Sequence, residues 1–412
     1  MTKAPSTKSP TTAKPVTTKA PAINKTDGVA ECNDQNRDHC ECGNPDNGFT
    51  TYVFKLNGTT RCFTVFRPKN LPVTNKLPVM ITSHCYGKDR LSTLAMNSPN
   101  VIRNKLAHRF GFARIGVSTP KGNWVFGNDG VINDQHPMPC SAKDSIDAVF
   151  INKVFDFISA NPGVFNVERV YTEGFSQNGI FSAYIGYCHS DKVVGVWQGG
   201  SGMGLTSQKN YFSLHKLQTE CTRSMFKEYG KDCVNQPDAC PNCQYWPIYP
   251  CYTAKRPVIS CVVDYIGDPI TSMKGNPNVS TTWNMYRALV REGHDARLMR
   301  FDQLSKHAKV KNDAYWQVAC LGITQSCTAE CERSFIECME TSTFTACIDE
   351  KMMKVLKGCT GNCSPTFGMM SQSEAPFVKE FSKGKFGASD EKYRPQPQGS
   401  VCQFDQSVRM VN

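Results

Sequence analysis

The chain reads as an α/β protein with a mostly parallel central sheet and helices on both faces. Strand-like runs of β-branched and aromatic residues alternate with helical-period stretches between about residues 77 and 301. The run Leu77-Pro-Val-Met-Ile-Thr-Ser83 is unbroken in its apolar character, as a strand covered on both faces would be. At 412 residues the chain exceeds one average domain but suits a single α/β domain with insertions.

Taken in order, residues 1–30 are dominated by Thr, Lys, Pro, Ala and Ser, which cannot bury a core, and are expected to form a disordered stalk or linker. Cys32, Cys40 and Cys42 open the folded part as a disulfide-tied lead-in. Thr51–Leu56 and Thr60–Phe66 flank Asn57-Gly58, the dipeptide of a tight hairpin, and predict an antiparallel edge pair. The strand Leu77–Ser83 runs into His84-Cys85-Tyr86-Gly87. A helix over 100–110 and a strand over 112–117 follow. The next helix, over 143–160, sets Ile146, Val149, Phe150, Val154, Phe157 and Ile158 on one side. Further strands are predicted at Val167–Thr172, Val193–Gln198, Pro257–Val263 and Ala296–Phe301, with helices at Gln177–Cys188 and near Thr281–Glu292.

Two regions break that rhythm. Residues 205–255 carry Cys221, Cys233, Cys240, Cys243 and Cys251 beside Tyr245, Trp246 and Tyr249, and read as a cysteine-rich cap inserted into a catalytic domain spanning 31–325. Cys240-Pro-Asn-Cys243 lacks a second close ligand pair, so no zinc site is predicted. Residues 326–412 form a cysteine-rich extension, in which the spacing from Cys327 to Cys363 fits two helices clipped together.

Twenty-one cysteines point to an oxidising compartment and hence to secretion. The odd count leaves at least one thiol free or intermolecular, and Cys261, inside a predicted buried strand, is the candidate. Sequons at Asn24, Asn57, Asn278 and Asn362 fit a glycoprotein. Met1 opens directly into polar residues, so a signal peptide is expected to have been removed or to lie outside this sequence. No apolar run reaches membrane-spanning length. The net charge of +11 is scattered, reads as a solvated surface, and comes with no nucleic-acid motif.

The chemistry centres on Val167–Cys188. Gly174-Phe-Ser176-Gln-Asn-Gly179 lies between a predicted strand and a predicted helix, where a serine on a sharp turn is lifted above the sheet. Such a turn needs small residues around it. Asn178 stands where the GxSxG pattern ends in Gly, leaving Gly179 to give close helix packing. A serine nucleophile requires a base and an acid to hold that base, in the chain order Ser, acid, His, after later strands. Asp268 and His307 answer to this, with Asp264 as the alternate acid and His294 as the alternate base. His294 is otherwise expected at a helix end, where a cation is favoured. The oxyanion donors would be the amides of Gln177 and Tyr86, with Cys85 as the alternative. Trp197 and Trp246, with Trp124, could line a substrate pocket or belong to the core.

These motifs, with Asp144-Ser-Ile-Asp147, Arg169-Val-Tyr-Thr-Glu-Gly-Phe-Ser176 and Gly267-Asp268, resemble the α/β-hydrolases, and in particular secreted polyhydroxybutyrate depolymerases and feruloyl or acetylxylan esterases, over about residues 50–320. Cys85 departs from the family's Gly, and Lys306 from the Gly that usually precedes the histidine. The resemblance implies the α/β-hydrolase fold and a carboxylic-ester hydrolase with acyl-enzyme chemistry, needing neither metal nor cofactor. Its substrate would be feruloyl or acetyl esters of polysaccharide, or a polyester such as polyhydroxybutyrate. A second expectation, from another class, is a hydrolase-shaped binding or surface protein without activity, and peptidase or lactone hydrolysis is a third.

Overall fold

The computed structural model describes residues 22–24, 26, 28–69, 76–83, 101–120, 124, 146–201, 256–266, 268, 271–273, 276–280, 282, 285, 286, 289, 294–302, 317, 320–323 and 378–383. The cap at 205–255 and the clipped helices at 327–363 lie outside them. Among the described residues, β1 (Ala30–Glu31), β2 (Phe49–Leu56), β3 (Thr59–Phe66), β4 (Leu77–Ser83), β5 (Ala113–Val117), β6 (Phe165–Phe175), β7 (Val193–Gly199), β8 (Ile259–Ile266), β11 (Asp295–Asp302) and β12 (Val378–Lys383) form one sheet in the order β1-β2-β3-β5-β4-β6-β7-β8-β11-β12. β9 (Ser272–Met273) and β10 (Asn276–Ser280) make a separate antiparallel pair.

The run from β5 to β11 is parallel throughout, and antiparallel pairs flank it at both ends. The hairpin between β2 and β3 turns on Asn57 and Gly58 at φ 49° and 76°, a two-residue turn of the kind that matches strand twist. Helices α1 (Ile102–Phe110), α2 (Ile146–Ser159) and α3 (Gln177–Cys188) supply the crossovers. α2 and α3 cover one face, where Phe157 packs 4.7 Å from Tyr52 and 4.9 Å from Phe63 by ring centroids. α1 and the helical residues Gln317, Cys320 and Leu321 cover the other. This is the mostly parallel sheet with helices on both faces predicted from the sequence.

Each face carries a buried charged connection. On the α2 face Arg61 Nη2 donates to Asp147 Oδ1 at 2.6 Å, both side chains being 1% exposed. Burial pulls the Arg61 pKa down from its ordinary value, and the Asp147 carboxylate opposes that. On the opposite face Glu173 accepts from Arg114 Nη2 at 2.9 Å, Arg103 Nε at 3.0 Å, Thr82 Oγ1 at 2.5 Å and Gln317 Nε2. The network fastens α1, β4, β5 and Gln317 to β6 a short step before Ser176. Glu173 and Arg114, both buried, compensate one another's charge, and the partly exposed Arg103 adds to that.

Disulfides Cys32–Cys42 and Cys40–Cys62 tie the lead-in to β3, as expected. Cys261 is not the free thiol. It points to the α1 face and is bonded to Cys320, with 6.1 Å between their Cα atoms. Within the segment expected to be a stalk, Asn24 exchanges two hydrogen bonds with Asn161, so ordered contacts begin before residue 30. No helix among the described residues is long and apolar enough to cross a membrane.

Candidate active site

β5 lies on one side of β4 and β6 on the other, so the connections leaving the carboxyl ends of β4 and β6 part in opposite directions. Such a topological switch point, at the carboxyl ends of the strands, is the usual ligand site in open α/β sheets. Ser176 stands at the carboxyl end of β6 on one side of this point, and Ser83 ends β4 on the other.

Ser176 has φ 62° and ψ −131°, a conformation that costs an L-residue roughly 1–3 kcal/mol. Its neighbours enforce it. The Ser176 N–H donates to Gly199 O at 2.9 Å, while its carbonyl accepts from Gly179 N–H at 2.9 Å to start α3. A Cβ on Gly174 would stand 2.0 Å from Asn178 O, and one on Gly179 would stand 2.3 Å from Ser201 Oγ. Both glycines are required by close approach, and Gly179 supplies the packing that Asn178 cannot. Gln177 is the first residue of α3, so its amide is one of the helix's first N–H groups, at the positive end of the dipole.

Asp268 is fully buried just beyond β8, its N–H donating to Tyr265 O at 2.9 Å in a tight turn. β8 runs on to Ile266, so Asp264 belongs to the strand rather than to the loop after it. It sits opposite Arg300 of β11, whose Nε donates to Asp264 Oδ2 at 2.9 Å. His294 is buried at the amino end of β11, a strand length of roughly 25 Å from the carboxyl ends where Ser176 stands. Its Nδ1 accepts from Val258 N–H at 3.0 Å, and burial pushes its pKa down to about 3. It is therefore a neutral core residue, neither the cation nor the base considered from sequence. His307, Tyr86, Cys85 and Trp246 lie outside the described residues. Trp197 is buried within β7, on the same sheet face as Cys261. Trp124 is a buried residue against α3, its ring stacked on Phe181.

Sequence reasoning missed two features. Glu173 and Arg114, charged residues inside otherwise apolar strands, were the legible signal for the buried network. Asn178, in place of a glycine, was the signal for a contact joining α3 to Ser83 and Trp124. His39, Cys40 and Cys62 cluster closely enough to bind a metal, but Cys40 and Cys62 are joined as a cystine and offer no thiolates.

No protein-family model and no curated protein matches the chain. Similar solved structures include an acetyl xylan esterase from Paenibacillus sp. R4, at 14% identity and TM-score 0.41 over 72% of this chain and 88% of that one. A ferulic acid esterase is similar at 14% identity and TM-score 0.36 over 67% of this chain and 96% of that one. A thermostable esterase is similar at 14% identity and TM-score 0.36 over 62% of this chain, which spans 55% of that protein's length. The site's chemistry is read from the strand order and from the strained turn at Ser176.

Proposed function

We propose that the chain is a secreted serine carboxylic-ester hydrolase that works through an acyl-enzyme. The observation that carries this reading is the forced positive φ of Ser176 at the carboxyl end of β6, against the amino end of α3. A strained turn of that kind, held by two glycines and two neighbouring strands, is a way of presenting a hydroxyl for reaction.

In this reading Ser176 Oγ attacks the ester carbonyl carbon while His307 takes its proton, and Asp268 holds the imidazole in the right tautomer. The oxyanion accepts hydrogen bonds from the Gln177 and Tyr86 amides, each contributing about 3–4 kcal/mol to the barrier lowering. Collapse expels the alcohol, which receives the proton from His307. Water then attacks the acyl-enzyme with His307 again as base, releasing the carboxylic acid and restoring Ser176. The resemblance of its motifs to those of feruloyl and acetylxylan esterases and polyhydroxybutyrate depolymerases favours polymer-borne esters as substrates. Secretion is supported by the three disulfides among the described residues, and glycosylation by the exposed sequon Asn57 at its hairpin tip.

The test is hydrolysis of p-nitrophenyl acetate, methyl ferulate and hydroxybutyrate oligomers by the wild type beside Ser176→Ala. Turnover in the wild type that the variant loses supports the reading and ranks the substrates. No turnover of any ester by the wild type would turn the assignment to a hydrolase-shaped binding protein.

A further inference from the structure

Asn178 is 2% exposed in the first turn of α3, two residues after Ser176. Its Nδ2 donates to Ser83 O at 2.8 Å, and its Oδ1 accepts from Trp124 Nε1 at 3.0 Å. These partners are chemically one-sided, since an indole N–H can only donate and a peptide carbonyl can only accept. Their positions therefore admit one orientation of a carboxamide and exclude a carboxylate. Trp124 is itself fixed, its ring stacked on Phe181 at 4.0 Å and 14°. Between β4 and β6 the backbone pairing ends at Thr82 and Glu173. The bond from Asn178 to Ser83 continues that association past the end of the ladder.

The two ends it joins are those that matter for an oxyanion. Asn178 adjoins Gln177, whose amide is one proposed donor, and Ser83 leads in sequence to Tyr86, the other. Close packing of α3 is met by Gly179, so packing alone does not call for Asn at 178. Resting on the serine-esterase reading above, we propose that Asn178 is a positioning residue which fixes the end of β4 against the nucleophile turn and so holds that turn and the Gln177 amide in the geometry the oxyanion needs.

The experiment compares wild type, Asn178→Asp and Trp124→Phe in p-nitrophenyl acetate hydrolysis and in inhibition by phenylboronic acid, which forms a tetrahedral adduct on an active serine. Asn178→Asp keeps shape and the acceptor for Trp124 but sets an oxygen against the Ser83 carbonyl. Its kcat should fall roughly 10²-fold, as a misplacement of ~1 Å does, with KM within about threefold and boronate affinity falling in parallel. Trp124→Phe removes the donor to Asn178 Oδ1, together with part of the buried indole, and should cost about tenfold in kcat. Wild-type kcat and boronate affinity in Asn178→Asp would overturn the proposal, as would a lowered thermal midpoint with boronate affinity intact. Should Asn178→Asp not fold, an unchanged kcat in Trp124→Phe would overturn it equally. If the wild type shows no Ser176-dependent hydrolysis, the esterase reading fails first and this proposal with it.

Discussion

Asp264 and Arg300 face one another across the parallel pair β8 and β11, with Asp264 Oδ2 2.9 Å from Arg300 Nε and the carboxylate wholly buried. An aspartate so engaged balances a guanidinium inside the sheet. In the proposed mechanism Asp268, beyond the strand end, is the carboxylate that orients His307. Asp268→Asn should lower kcat by up to about 10⁴-fold with the thermal midpoint little changed. Asp264→Asn should instead cost roughly 3–5 kcal/mol of stability by removing the carboxylate that balances Arg300, with kcat retained in the folded fraction. Kinetics and denaturant unfolding on both variants separate the roles, and the reverse pattern would exchange them.

Cys261–Cys320 closes a loop of sequence separation 59 that contains both Asp268 and His307. In the chain-entropy account, cross-linking a loop of that length stabilises the fold by about 4 kcal/mol. The double variant Cys261→Ala, Cys320→Ala should unfold at correspondingly lower urea. An unchanged midpoint would show that the bond adds nothing.

His294 is held neutral in the folded chain, with its pKa near 3 against 6.5 for the exposed side chain. The unfolded chain therefore binds one proton more between those values. The stability this gives is complete above pH 6.5 and is lost as the pH falls toward 3, up to about 5 kcal/mol in all. His294→Asn retains an acceptor for the Val258 N–H without titrating. Its stability should decline less steeply over that range, which urea midpoints at a series of pH values measure.

Gly174 has no room to grow. A Cβ there would meet the Asn178 carbonyl oxygen at 2.0 Å, and that atom is backbone and cannot swing aside. Gly174→Ala should destabilise the fold by about 3 kcal/mol and abolish hydrolysis. Near-native kcat in this variant would show the turn to be more pliant than its geometry.

The reach of sequence reasoning follows from how local each requirement is. The turn at Ser176 was legible because its backbone geometry is written in Gly174 and Gly179, and the β2–β3 turn because Asn57-Gly58 tolerates positive φ. The end of β8 was misjudged because the apolar run stops at Val263, while the ladder with β11 carries the strand on to Ile266 and Arg300 of β11 balances the Asp264 charge. Cys261 was misjudged for the same reason, since its partner lies beyond β11. β12 joins the sheet edge beside β11 from far along the chain, and nothing near residues 378–383 announces that pairing. His294 had the residue type of a base, but only the fold shows it at the wrong end of the sheet.

The central claim is a covalent intermediate on Ser176. Wild-type protein mixed with p-nitrophenyl acetate, quenched in acid during turnover and digested should yield an acetylated peptide containing Ser176, absent from Ser176→Ala. Hydrolysis with acetyl on another residue, or equal turnover by Ser176→Ala, would contradict the account.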